Sequence, residues 1–449
     1  MVAHPSRLAY GANVTRFIGF LLFLLFVDES ACAYKTHLFA PMEWVNAWLL
    51  EPTPIKIRPF DLIVLVILVV GSARRDGRGP YVAPMKNALL LMLATTVVWY
   101  IFGIVRGGDA RSASWQTYLI LSTILLTFAL AATFRTAAHF CSLSKWVVAA
   151  AIYRAFMCWV SYYTWGRHLV GSSGAFLTLH DDTIPWVVSI LILVVQAVQK
   201  RTPLVIFRNG VVTLFLLGAL QFNSRRLAWV SLAMGLVMLY FLIPQSGAMK
   251  RMSRRALIFA IPALTVYVIV GWGRMNPIFL PLRSISSVST NEDASTLARN
   301  AENLGLIATA NYTSPLTGSG WGHPYAALTM KYDISSAFEL WQYVPHNSIL
   351  GLLAFTGILG FAGFWLALPT AVFLNARVAS MGNHWRARSA ALIGAAQLVV
   401  CANQLYGDMG IRSIQTMYVI AVSYAMALRL PQIAGVWNAP NPTPLVGVR

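Results

Sequence analysis

Apolar runs of about 15–21 residues recur from one end of this chain to the other. Each is close to the roughly 20 residues that carry an α-helix across the hydrocarbon of a bilayer. This recurrence constrains the fold more than any motif does. A chain that enters lipid repeatedly must satisfy its backbone hydrogen bonds inside each crossing, and a helix does so segment by segment. With 57% hydrophobic and 11% charged residues and a mean hydropathy of +0.63, the chain has more apolar surface than a soluble core needs. The reading is an all-α polytopic membrane protein with about twelve spans, near 14–27, 60–73, 86–105, 116–134, 146–165, 184–199, 204–222, 227–244, 256–272, 348–375, 389–406 and 413–430. No small-residue cleavage site lies between the first run, Phe17–Val27, and Asp28-Glu29, so that run reads as a span rather than a signal peptide.

The net charge of +19 invites a nucleic-acid reading, but its distribution argues against one. Basic residues cluster between apolar runs, at Arg74-Arg75-Asp76-Gly77-Arg78, Lys200-Arg201, Lys250-Arg251 with Arg254-Arg255, and Arg377 with Arg386 and Arg388. Loops rich in Lys and Arg stay cytoplasmic. Such clusters at every second connection are what a serpentine topology requires, and both termini come out cytoplasmic. Cys141, Cys158 and Cys401 lie in or beside spans, Cys32 has no obvious partner, and no disulfide or zinc spacing occurs. Four regions follow: an N-terminal helix bundle over 1–272, a large periplasmic loop over 273–345 between the ninth and tenth spans, C-terminal helices over 346–430, and a tail over 431–449, rich in Pro, Asn and Gly, that is expected to be disordered in the cytoplasm.

Long loops between spans usually carry function. Within this one, "DASTLARNAENLGLIATANY" has helical period and puts Leu297, Leu304 and Ile307 on one face. Arg299 lies on that helix and, taken alone, reads as a solvated charge with Glu292 and Glu302 as possible partners. Arg225 and Arg226 stand at a very short non-cytoplasmic connection, the wrong side for positive charge. One arginine there is accounted for by snorkelling to headgroups. Two adjacent ones point to an anion, because guanidinium forks bind phosphate oxygens in bidentate fashion. The "GSGWG" turn, with Gly318, Gly320 and Gly322, permits close backbone approach but lacks P-loop spacing, and a plain turn explains it equally.

"QYVPHNSILGLLAFTGILGF" places His346 and Asn347 after a proline, where the chain passes from water into an apolar run. A histidine there can take a proton from a hydroxyl or steady a phosphate. Asn347 or Ser348 can cap the following helix. Alone, His346 is as well explained as an interfacial polar residue; His323 is a rival, and His168 and His180 are weaker candidates. Trp321, Tyr325, Trp341 and Tyr343 could stack on sugars or form part of an interfacial aromatic belt. No Asp-x-Asp, His-x-x-x-His or Glu-x-x-His pair and no serine-nucleophile elbow appears, so neither a metal nor another cofactor is expected.

The order of these features over about residues 200–376 resembles the O-antigen ligase / O-antigen polymerase superfamily of bacterial inner-membrane glycan transferases. The family's "S-R" connection is similar to Ser224-Arg225, with Arg226 following. Its glycine region is similar to Pro315-Leu316-Thr317-Gly318-Ser319-Gly320-Trp321-Gly322. Its "H-N-x-x-L…G…G" stretch is similar to His346-Asn347-Ser348-Ile349-Leu350…Gly357…Gly360, and its loop arginine is best matched by Arg299. The resemblance implies metal-independent glycosyl transfer at the periplasmic face of the inner membrane. The donor would be an undecaprenyl-diphosphate-linked glycan, and the acceptor a lipid A-core sugar or, for a polymerase of O-antigen or exopolysaccharide, another glycan repeat. It also implies diphosphate binding by Arg225, Arg226 and Arg299, with His346 acting on the acceptor hydroxyl or the diphosphate and Asn347 and the three glycines in support. Membrane lipids are the other expected partners and nucleic acid is not one. A lipid-linked glycan flippase or transporter, and a non-catalytic scaffold, are the readings from other classes. Few charges within the spans and no inverted repeat weigh against transport.

Overall fold

The computed structural model describes residues 5–27, 59–73, 81–164, 166, 177–200, 202–223, 225–243, 248–272, 274, 279, 282, 294–328, 340–408 and 410–437. Among these there is no strand. The helices are α1 (Pro5–Phe26), α2 (Pro59–Ala73), α3 (Ala83–Val105), α4 (Ala110–Thr133), α5 (Ala137–Thr164), α6 (Thr183–Lys200), α7 (Pro203–Asn223), α8 (Arg226–Leu242), α9 (Ala248–Gly271), α10 (Ala294–Thr313), α11 (Ser348–Trp365), α12 (Ala367–Met381), α13 (Trp385–Gly407) and α14 (Ile414–Ile433). Short 3-10 turns, His180–Asp182 and Gly410–Arg412, lead into α6 and α14.

Eight helices, with α11 and α12 taken together, are long and apolar enough to cross a membrane, and three shorter apolar ones cover Asn13–Phe26, Pro59–Gly71 and Arg226–Leu242. The outer surface is correspondingly apolar: Leu204, Phe207 and Leu214 on α7 and Phe259, Leu264 and Ile269 on α9 are all exposed. Lipid is the environment that such a surface requires, and the protein is membrane-embedded.

The bundle is arranged around α14, which is buried at every position from Ile414 to Pro431 and packs against α4, α12 and α13. Apolar burial alone gives little drive for helix association in lipid, so close contacts and interhelical hydrogen bonds carry much of it. Ser423 of α14 takes a hydrogen bond from Gln397 of α13 on its hydroxyl and one from Asn375 of α12 on its carbonyl. Asn403 of α13 donates to Ser231 of α8, and Gln199 of α6 donates to Ser389 of α13. The last helix carries the chain past Leu430 to Ile433, and the Arg377 guanidinium lies 5.4 Å from the Trp437 ring centre. The rest of the expected tail, 438–449, is outside the described residues, as are Cys32 and the Arg74–Arg78 cluster.

The 314–322 segment is built into the bundle. Helix α11 breaks at Gly357 (φ 60°, ψ −172°), and the loop backbone takes over the groups that the break releases. Ile358 N and Leu359 N donate to Pro315 O and Leu316 O at 2.9 and 3.1 Å. Ser319 N and Gly320 N donate to Ala354 O and Phe355 O at 3.1 and 2.8 Å, and Trp99 Nε1 of α3 donates to Thr317 O at 2.8 Å. A Cβ on Gly320 would lie 2.4 Å from the Gly103 Cα, so glycines on both sides bring loop and helix together. Trp321 and Tyr325 are buried, with Trp321 against Phe355 and Phe364 and Tyr325 edge-on to Trp341.

Charge is distributed unequally between the two ends of the bundle. The acidic residues in the described set, Asp61, Asp109, Asp181, Asp182, Glu302 and Asp408, all lie at the end where α4, α6, α8, α11 and α14 begin. The opposite end holds Lys145, Lys200, Lys250, Arg377, Arg386 and Arg388.

The break at Gly357 has a direct consequence. Gly357→Ala would force an L side chain to positive φ with its Cβ 2.3 Å from Leu316 backbone atoms, and should lower stability by about 2 kcal/mol or more. Gly210→Ala, with nothing within 4 Å, should be neutral or mildly stabilising. Thermal unfolding of the two purified variants in detergent reads the difference.

Candidate active site at the acidic end of the bundle

The short α7–α8 connection delivers Arg225 and Arg226. Arg225 is the N-cap residue of α8, in extended backbone with no side-chain cap bond, and is only 8% exposed. Burial is the main cause that brings its pKa down to about 10; the Arg299 charge adds to the fall, and Asp408, Asp182 and Asp181 oppose it. The group stays cationic at neutral pH. Arg226 is half-buried and also feels Arg299. Arg225 and Arg226, neighbours in the chain, thus both feel the charge of Arg299, which lies far along the sequence.

Helix α10 supplies Arg299 and Glu302. Its packed face is Gly305, Leu306, Thr309 and Ala310. Leu304 and Ile307, on the apolar face visible in sequence, point outward. Small and hydroxyl residues do the packing because the backbones come close: Ala326 O lies 2.2 Å from where a Gly305 Cβ would be, and Ala326 N donates to Thr309 Oγ1 at 2.7 Å. This holds Arg299 and Glu302, one turn apart, towards the bundle.

Their partners differ from those that the sequence suggested. Arg299 pairs with Asp408 at the end of α13 (Nη2 to Oδ1, 3.3 Å), not with Glu302; Glu292 lies outside the described residues, as do His168 and Ser224. Glu302 pairs with His346, Oε2 to Nδ1 at 2.8 Å. Its other oxygen accepts from the Asn347 backbone N–H at 3.2 Å. Glu302 also lies close to Tyr325, whose phenol is pushed up first by burial and then by that carboxylate.

Asn347 is the N-cap of α11. Its side-chain oxygen accepts from Leu350 N at 3.1 Å while its amide nitrogen donates to Asn303 of α10 at the same distance. Ser348 Oγ accepts from Ile411 N at 3.2 Å, tying α11 to the turn before α14. His346 is thus oriented by Glu302 and seated by its neighbour's two bonds, and among the described residues its Nε2 has no hydrogen-bond partner.

Gly318, Gly320 and Gly322 stand apart from the arginines. Gly318 and Gly320 belong to the seam with α11, and Gly322 N donates to Gln116 Oε1 at 2.6 Å. Their N–H groups are used within the protein, so they support the site by fixing the loop rather than by cradling a phosphate. His323 bonds the Gly103 carbonyl at 3.2 Å beside the same seam.

Two features escaped sequence reasoning. Asp408 was not singled out, although an acid at the end of a span in a chain with 15 acidic and 34 basic residues is a signal. The Arg154–Asp182 pair lies at the same end, both side chains fully buried, with Arg154 Nη1 donating to Phe26 O at 2.6 Å. It locks the end of α1 to α5 and to the turn before α6, and losing one partner of such a pair costs about 3–5 kcal/mol.

Asn347→Ala removes both the cap and the bond to α10 and should cost about 1–2 kcal/mol in thermal unfolding. Asn347→Asp, which keeps the acceptor for Leu350 N, should recover part of that loss.

No protein-family model matches the chain, and no curated protein matches it in sequence.

Proposed function

We propose that this protein is a glycosyltransferase of the bacterial inner membrane. It moves a glycan from an undecaprenyl diphosphate carrier to an acceptor hydroxyl at the periplasmic face, in the manner of an O-antigen ligase. The observation that carries the proposal is that Arg299, whose charge acts on Arg225 and Arg226, and Glu302, which pairs with His346, stand one turn apart on α10 at one end of a membrane-embedded bundle. Twelve crossings, counting α11 with α12 as one and leaving α10 outside the membrane, return both termini to the cytoplasm. The Lys- and Arg-rich end then faces the cytoplasm, as the positive-inside rule asks, and the site faces the periplasm with the 273–345 loop.

In this reading the carrier's tail stays in lipid and its diphosphate lies against the three arginines. The acceptor oxygen attacks the anomeric carbon, the bond from that carbon to the diphosphate oxygen breaks, and the leaving charge is held by guanidinium groups already in place. With Nδ1–H donating to Glu302, the His346 Nε2 lone pair takes the acceptor proton, and the carboxylate steadies the imidazolium that forms. The acceptor is a lipid A-core sugar in a ligase and a carrier-linked repeat in a polymerase of O-antigen or exopolysaccharide, and both use the same leaving group.

Complementation of a deletion strain tests this. His346→Ala, Arg225→Ala and Glu302→Gln, each at normal membrane abundance, should lose polysaccharide modification, with turnover falling roughly 10²-fold or more. Unmodified core with long carrier-linked chains identifies a ligase, and capped single repeats identify a polymerase. An unchanged ladder in all three variants would sink the transferase reading and bring a transporter forward.

A further inference from the structure

A cationic site beside a bilayer faces a problem of selection. Phospholipid phosphodiesters carry one negative charge and surround it at high concentration, whereas the proposed donor carries a more highly charged diphosphate and is scarce. Arg225, Arg226 and Arg299 alone would attract both.

Asp408 stands beside two of these arginines. It caps the end of α13, is 3% exposed, pairs with Arg299 at 3.3 Å and acts on Arg225. Gln404, one turn earlier on α13, approaches its Oδ2 at 3.5 Å. Among the described residues, Asp181 and Asp182 also act on Arg225, and Asp182 is held by Arg154. Asp408 is thus a resident carboxylate bonded to an arginine that an incoming anion must engage.

We propose that Asp408 is a specificity residue: a built-in counter-ion that a singly charged lipid headgroup cannot displace and a diphosphate can. The inference rests on the diphosphate reading above. An entering anion must replace the Arg299–Asp408 pair. A phosphodiester offers the same single charge as the carboxylate and must also lose its own hydration. A diphosphate brings more charge and more acceptor oxygens, enough to engage all three guanidinium groups. Discrimination arises here from an element that opposes the wrong ligand, not from an added attraction to the right one.

The test measures binding of farnesyl diphosphate to the full chain in nanodiscs of pure phosphatidylcholine and of phosphatidylcholine with phosphatidylglycerol. Wild type should bind with nearly the same affinity in both. Asp408→Asn, which keeps the side chain's size, should bind more tightly than wild type in phosphatidylcholine and lose about tenfold in affinity when phosphatidylglycerol is present. Asp408→Glu should restore the indifference to phosphatidylglycerol. Damage to the fold would weaken binding in both membranes alike, which is not the expected pattern. If Asp408→Asn binds no tighter than wild type and ignores phosphatidylglycerol, the counter-ion role is overturned while the diphosphate site stands. If wild type and Asp408→Asn both fail to bind farnesyl diphosphate in phosphatidylcholine, the diphosphate reading falls and this inference with it.

Discussion

The hydrogen bonds exchanged between residues 315–320 and 354–359 are the constraint on which the rest of the site depends. A helix that breaks in or beside lipid must hand its freed backbone groups to another part of the protein. Here the partner is a loop, and the two segments satisfy each other at Gly357. The exchange roots the 314–322 segment in the bundle. Helix α10 lies just before the rooted loop and His346 just after it, so the same seam positions Arg299, Glu302 and His346 against residues that arrive on α7, α8 and α13. The glycines matter because side chains would hold the backbones apart.

Electrostatics then decides what kind of site this is. Three arginines beside one another repel, and burial of Arg225 adds a desolvation cost. The cluster is tolerable because Asp408, Asp181 and Asp182 stand close to it. Such a balance keeps the guanidinium groups charged and fixed in place at the end of the bundle. Glu302 pairs with His346 instead, so the carboxylate next to Arg299 on α10 is not the one that balances the arginines.

Much of this was legible in the sequence. Each expected span falls on helix, the one over 348–375 on two, α11 and α12, because the length of an apolar run and its bounding polar residues are local properties. Arg225, Arg226 and His346 could be singled out because each departs from a local expectation, as a charge at a connection expected to be poor in basic residues or as a titratable group at a helix entry, whereas Arg299 read alone as a solvated charge and was singled out only by resemblance. Their pairing was not legible. Glu302 lies three residues from Arg299 and looked like its partner, yet it bonds His346, 44 positions away. Arg299 reaches Asp408, 109 positions away. Leu304 and Ile307, on the apolar face visible in the sequence, are exposed, and Gly305, Leu306 and Thr309 do the packing because small residues allow the closest approach.

The sequence by itself determined that the chain is a helical membrane protein, roughly where its helices begin and end, and which charges lie at its connections. Hydrophobic length and charge placement act within a window of about 20 residues, and each window can be read alone. Only the tertiary structure decided that α11 is broken and filled by the glycine loop, that α14 is the buried axis, and which carboxylate meets which cation. Those outcomes depend on contacts between segments tens to hundreds of residues apart, where an ion pair forms according to which helix ends the packing brings together.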